Sequence, residues 1–159
     1  MTITAKIICD SVNSTGDRLT TLQLRYPRFI HPEFLTHRMF SRNSSSSRAI
    51  PVERLIADCL EDTAMPIHWG KNQPGMQANE EHDERIFFDE VSFGSDDVPP
   101  FYTKERAWEI ARDHAIKVAQ AFHKAGYHKQ IVNRLIEPYV HMNTLVSSTQ
   151  WSNFFALRL

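Results

Sequence analysis

Two stretches, residues 3–10 and 18–26, place Ile3, Ala5 and Ile7, and then Leu22, Leu24 and Tyr26, at alternate positions on either side of Asn13-Ser14-Thr15-Gly16. This pattern constrains the fold more than any other feature of the chain. Alternation with period two describes half-buried strands, and an Asn/Gly-containing tetrapeptide between them predicts a β-hairpin. A hairpin alone is not stable in water, so the rest of the chain has to cover it. Pro27 ends the second strand because it cannot donate to a ladder.

The cover is predicted to be helical. Pro32 suits the first turn of a short helix over 31–40. Pro51 opens a second, in which Val52, Leu55, Ile56, Cys59 and Leu60 recur at helical spacing. Thr103 caps a long helix reaching Ala125, with Trp108, Ala111, Ala115, Val118, Ala119 and Phe122 as its buried stripe and Gly126 as its stop. A further helix covers 128–136 and ends before Pro138. Residues 139–147 form a strand, and Thr149 caps a last helix over 150–158. The segment 41–49 has no periodicity and reads as a loop. Between Ala64 and Tyr102 the signal weakens, with Pro66, Gly70, Pro74 and Gly75 breaking any helix and Pro99-Pro100 marking a surface connection. The fold class expected is α+β: a hairpin-based antiparallel sheet packed by three or four helices, in one domain spanning 1–159.

Composition narrows the function classes. Eighteen Lys+Arg against 19 Asp+Glu give a net charge of −1, and 42% hydrophobic with 23% charged residues is ordinary for a globular chain. A supercharged nucleic-acid arm is excluded. No apolar run approaches the roughly 20 residues needed to span a bilayer, and residues 1–6 lack a signal-peptide core, so a cytoplasmic protein is expected. Cys9 and Cys59 make no disulfide framework and read as core residues. The eight histidines show no compact metal-ligand spacing, and there is no Gly-x-Ser-x-Gly elbow. Metal catalysis and serine hydrolysis are therefore not expected.

Chemistry concentrates in Thr36-His37-Arg38-Met39-Phe40-Ser41-Arg42-Asn43-Ser44-Ser45-Ser46-Ser47-Arg48. No carboxylate lies between Glu33 and Glu53, yet Arg38, Arg42 and Arg48 all do, among five serines, an asparagine and a histidine. Such a set favours phosphate groups, each charged hydrogen bond contributing about 1.5–3 kcal/mol. A solvated serine linker is the alternative. Glu33, Thr36 and His37 share a helical face through i+3 and i+4 spacing and can line one site.

This segment resembles the signature of the flavin-dependent thymidylate synthase (thymidylate synthase complementing protein) family, Arg-His-Arg-x-x-Ser-x-Asn-Glu-x-Ser-x-Arg, in a phage-like, C-terminally short form. His37, Arg38, Ser41, Asn43, Ser46 and Arg48 meet six of its eight fixed positions. Gly126 through Arg134 to Pro138 is similar to the family's helix with a substrate-binding arginine. Asn153-Phe154-Phe155-Ala156-Leu157-Arg158 is similar to its Asn-Phe-x-x-Leu-Arg element. The resemblance runs from about Ile30 to Arg158 and makes 64–102 an insertion.

The resemblance implies conversion of dUMP to dTMP, with methylenetetrahydrofolate as carbon donor, FAD as the hydride-transferring cofactor and NADPH as its reductant. It also implies a homotetramer with active sites between subunits. Thr36, His37, Arg38, Asn43, Ser44 and Asn153 would contact FAD. Glu33, Ser44, Ser45, Ser46, Ser47 and Arg48 would hold dUMP, with Arg48 on its phosphate. Arg134 would reach the phosphate held by a neighbouring subunit, and Arg158 would polarise the uracil ring. The chain departs from the family at Thr36 for arginine, Ser44 for glutamate, Glu33 for glutamine and Ala49 for tyrosine. It also stops where family members continue with another helical stretch, which implies a fragment or a shortened relative. Two other readings stand beside this one: a non-catalytic nucleotide- or flavin-binding homologue, and a single-stranded nucleic-acid binder built on Arg38, Arg42, Arg48 and Phe40, which a pI of 6.7 disfavours.

Overall fold

The computed structural model describes residues 2–75, 77–88 and 101–157. The expected hairpin is present as β1 (Thr4–Val12) and β2 (Arg18–Pro27), paired antiparallel. Its turn is built by Asn13, whose Oδ1 accepts from the N–H groups of Thr15 (3.0 Å) and Asp17 (2.8 Å), while Gly16 takes φ 91°. The positive φ explains the glycine.

The sheet has the order β1-β2-β6-β3, with β6 (His141–Ser148) at its centre and β3 (Ser41–Ser44) at the edge. The strand predicted over 139–147 is β6. β3 corrects the expectation of a loop. It has no apolar alternation because its outer edge is wet, and its place is set by backbone pairing of Ser41–Ser44 with Ser147–Thr144. Sheet order is thus decided by tertiary pairing rather than by local pattern.

The short α1 (His31–Leu35) stops five residues before its predicted end. The Thr36 hydroxyl donates to Glu33 O (2.7 Å), and the chain turns so that Phe40 is buried against Phe34, Trp151 and Phe154. α2 (Val52–Glu61) and α3 (Lys104–Lys124) match their predicted positions. Thr103 caps α3 by accepting from the Arg106 N–H. Gly126, at φ 86°, closes it as the glycine of a C-terminal cap in which Tyr127 N–H reaches Phe122 O (3.1 Å) and Gly126 N–H reaches His123 O (3.0 Å).

The buried face of α3 is rotated from the expected stripe. Ala107, Ile116 and Ala119 are buried, whereas Ala111 and Val118 are exposed. Leu60 on α2 is also exposed. The helix predicted over 128–136 is α4 (Lys129–Val132), continued by a 3-10 helix from Asn133 to Tyr139 that runs through Pro138. α5 spans Ser152–Ala156, with no cap from Thr149; Ser148 Oγ instead accepts from Gln150 N–H at 3.0 Å. Between α2 and α3 in sequence, β4 (Ile86–Phe87) pairs antiparallel with β5 (Phe101–Tyr102). Met76 and the Pro99-Pro100 connection fall outside the described residues. No helix among the described residues is long and apolar enough to cross a membrane.

The helical core joins Val52, Leu55, Ile56 and Cys59 of α2 to Ile116, Ala119, Val132, Ile136 and Val140. One face of the sheet presents Tyr26, Met142, Thr144 and Val146 inward. The expected arrangement, an antiparallel hairpin-based sheet packed by helices, is the observed one.

The two cysteines part company. Cys59 is fully buried, its thiol directed at Tyr139 O, and burial pushes its pKa up to about 11. Cys9 is exposed, contrary to the core reading, because β1 is an edge strand left uncovered by helices and bulges between Ile7 and Cys9. Thiol titration of the native protein should therefore label Cys9 quickly, and Cys59 only after unfolding. Two rapidly reacting thiols would contradict this packing.

Candidate functional site

The acid-free segment forms neither a continuous helix nor a free linker. It leaves α1, turns through residues 36–40, pairs with the sheet as β3 and ends in a 3-10 turn, Ser47–Ala49, docked on the 129–139 helical segment. Asn133, fully buried, makes that docking: its Nδ2 donates to Ser47 O (2.7 Å) and Ile50 O (2.9 Å). Ser47 Oγ donates to Glu137 Oε1 (2.6 Å), Lys129 Nζ to Ala49 O (3.0 Å), and Arg48 Nη2 to Gln130 Oε1 (2.9 Å). Ser46 caps the turn by accepting from the Arg48 N–H.

Charge is distributed unevenly among the arginines. Arg18, Arg25, Arg28, Arg54, Arg106 and Arg112 each meet a carboxylate. Arg38, Arg42, Arg48, Arg85 and Arg134 meet none among the described residues. Four of these five are the arginines singled out in the sequence. Arg38, Arg48 and Arg134 are exposed. Arg48 reaches Gln130, one helical turn before Arg134, and Glu137 of the same segment is already taken by Arg28 (3.1 Å) and Ser47. The corner of Arg48, Lys129 and Arg134 is therefore cationic. Arg42 is committed elsewhere: its Nη1 donates to Phe34 O (2.9 Å), and the guanidinium lies 5.8 Å from the Phe34 ring centroid. It supports α1 rather than a phosphate, so of the three arginines in the segment only Arg38 and Arg48, like Arg134 on the helical segment, are exposed and without a carboxylate among the described residues.

β3 divides the predicted contacts between two faces, because side chains alternate along a strand. Arg42 and Ser44 lie on the core face. There Ser44 Oγ is 3.0 Å from Thr144 Oγ1, Thr144 Oγ1 is 3.0 Å from Tyr26 Oη, and Tyr26 Oη is 2.7 Å from His31 Nδ1. Burial raises the Tyr26 pKa; burial, followed by the fields of Arg28 and Arg42, lowers that of His31. At neutral pH this row of hydroxyls ends on a neutral imidazole.

Asn43 lies on the opposite, open face. The register pairs it with Leu145, and Leu145 with Gln23 on β2. One step along, Ser45 accepts from and donates to the Asn143 backbone (3.2 and 2.9 Å). Gln23, Asn43, Ser45, Asn143 and Leu145, together with Ser44 and Thr144, whose side chains turn to the core, border a pocket of about 330 Å³.

The remaining predicted contacts sit beside the aromatic cluster. The His37 ring stacks at 5.8 Å on Phe40 and meets Phe154 edge-on at 4.9 Å. Thr36 and Glu33 are exposed, joined by the Thr36 hydroxyl bond to the Glu33 carbonyl, and Asn153 is exposed on α5. α5 thus brings Phe154 against His37, while Asn153, next to it in sequence, is exposed. Arg158 lies outside the described residues.

Several of these residues carry no local sequence signal. Gln23, Gln130, Asn133 and Asn143 read as solvated polar positions; only strand register and helix docking bring them to the predicted segment.

The same arrangement of elements occurs in solved structures. A UMP/dUMP methylase PolB from Streptomyces cacaoi, bound with 5-Br UMP, superposes with a TM-score of 0.55 over 92% of this chain and 72% of PolB, at 13% identity. The same methylase bound with 5-Br dUMP gives 0.52 over 92% and 73%, at 12% identity. The chain has the PolB fold. No family model and no curated protein matches the sequence. At this identity the likeness fixes the path of the backbone, and the chemistry has to be argued from the side chains.

Proposed function

We propose that the chain is a nucleotide-methylating enzyme of the flavin-dependent thymidylate synthase type, converting dUMP to dTMP. The observation that carries this is the charge distribution: the arginines at Arg38 and Arg48, and the added Arg134, meet no carboxylate among the described residues, on a fold shared with a protein described as a UMP/dUMP methylase. A guanidinium without a counter-ion in a chain of net charge −1 is suited to a phosphate.

Arg48, held by Gln130, takes the dUMP phosphate with Ser45, Ser46 and the turn around Ser47. Arg134 reaches a phosphate held by a neighbouring copy, in a homotetramer whose sites lie between subunits. Ser44, fixed by Thr144, supports the nucleotide side. Thr36 and Glu33 border the α1 end of the site. The residues present fit a flavin: His37, seated in the aromatic cluster, would hold it with Arg38, Asn43 and Asn153, Arg38 meeting its pyrophosphate. Reduced by NADPH, FAD supplies the hydride, and methylenetetrahydrofolate the carbon, that turn the uracil C5–H into C5–CH3. Arg158 is assigned to the uracil ring, where a cation favours ionisation at N3. The cytoplasm is the setting proposed for it.

Release of tritium from C5-labelled dUMP, in the presence of FAD, NADPH and methylenetetrahydrofolate, tests the reading. Release dependent on all three is expected. Binding of flavin and dUMP without release would assign a non-catalytic homologue instead.

A further inference from the structure

The side chains that join Ser44 to His31 form a row whose hydrogen count is closed. Ser44 Oγ is linked to Thr144 Oγ1 (3.0 Å), Thr144 Oγ1 to Tyr26 Oη (3.0 Å), and Tyr26 Oη to His31 Nδ1 (2.7 Å). The three hydroxyls bring three hydrogens to these three links. If Nδ1 accepts, Tyr26 uses its hydrogen on His31, Thr144 on Tyr26 and Ser44 on Thr144. No hydrogen is left over, and Ser44 Oγ offers a newcomer only lone pairs. If Nδ1 donates, every link reverses and the spare hydrogen stands on Ser44. Tyr26 and Thr144 are buried, so the middle of the row is closed to bulk water.

Two observations set the direction. At 2.7 Å the Tyr26–His31 contact has the length of a bond from an O–H donor, shorter than the roughly 2.9–3.0 Å usual for N–H donors. The imidazole is also uncharged at pH 7. Burial, and then the fields of Arg28 before α1 and Arg42 on β3, hold its pKa below the usual histidine value. Arg28 is paired with Glu137, and Arg42 is bonded to Phe34 O. Ser44 is half-buried on the edge strand and stands where the resemblance places a glutamate, which when ionised only accepts. The row gives the serine that same character.

We propose that His31 and Tyr26 are positioning residues: through Thr144 they hold Ser44 as a hydrogen-bond acceptor toward an O–H or N–H group of the bound nucleotide. The inference rests on the nucleotide-binding reading above and adds Tyr26, His31 and Thr144 to it.

Calorimetric titration of the full chain with dUMP, from about pH 5 to about pH 8, tests it. Tyr26→Phe keeps the ring and cuts the row. At neutral pH it should weaken dUMP binding about three- to tenfold, as expected for one hydrogen bond. Ser44→Ala should cost the same, and the double variant no more than either alone. His31→Asn keeps an acceptor that does not titrate, so it should bind as the parent does at neutral pH. In acid, a protonated His31 reverses the row and turns the Ser44 hydrogen outward. Parental affinity should therefore fall with acid more steeply than that of Tyr26→Phe or His31→Asn. The phosphate's own titration at about pH 6 is common to all and cancels in the comparison.

If the two losses add in the double variant, or if all the proteins follow one pH course, the row serves the fold alone; the inference is then overturned while the function stands. Should Tyr26→Phe fail to fold, the pH courses of the parent and His31→Asn decide between the same two results. If dUMP does not bind the parent at any pH, the function reading falls and this inference falls with it.

Discussion

Replacing Arg48 by alanine should weaken dUMP binding roughly 10- to 150-fold while leaving the fold intact. The size follows from losing one charge-assisted hydrogen-bonding group, worth about 1.5–3 kcal/mol. The sparing of stability follows from position: Arg48 is exposed, and among the described residues its side chain has one partner, the neutral Gln130. Loss of that contact should cost no more than about 0.5 kcal/mol. Calorimetric titration of parent and variant with dUMP, and again with deoxyuridine, checks both parts. The phosphate-free ligand should bind the two proteins alike. Equal dUMP affinities would place the phosphate elsewhere.

Asn133→Ala should act in the opposite way, through the fold first and the ligand second. The Asn133 side chain is fully buried, and its Nδ2 is shared between Ser47 O and Ile50 O. Removing it leaves Ile50 O without its donor, while Ser47 O keeps the Ile50 N–H (3.3 Å), so the loss is about 1–3 kcal/mol. For a chain of this size that is a fall of roughly 2–12 °C in melting temperature. The same change releases the turn that presents Arg48, so dUMP affinity should fall even at temperatures where the variant remains folded. A stable variant with parental affinity would show that the turn is held by its other contacts, Ser47 to Glu137 and Lys129 to Ala49. Asn133→Asp should be worse than alanine, since it directs a carboxylate at two carbonyl oxygens in a buried setting.

The parts of this fold that were legible in the sequence are those whose signal is local. The hairpin shows in its alternation and in Asn13 and Gly16. The ends of α3 show in Thr103 and Gly126, whose roles depend only on nearby backbone groups. β3 was not legible, because an edge strand of Ser, Arg, Asn and Ser has no apolar pattern and owes its conformation to β6. Cys9 was misplaced for a related reason: strand alternation says that a residue faces one side of a sheet, but not whether anything covers that side. Thr149 caps nothing because α5 starts at Ser152, two residues later than its spacing suggests, with Trp151 at the N-cap position.

The site was partly legible on the same terms. Absence of acids between Glu33 and Glu53 marked Arg38 and Arg48 without any structure. What each side chain touches was not marked. Arg42 turns inward to Phe34, Ser47 reaches Glu137 ninety residues away in sequence, and Gln23, Asn43 and Asn143 become neighbours only through the register of three strands.

An absorption spectrum of the purified full chain, with and without added FAD and then dUMP, bears most directly on the account. Retention of a flavin band through desalting, with a further change in that band when dUMP is added, is the expected result. A spectrum identical to the sum of the separate components, before and after dUMP, would contradict it.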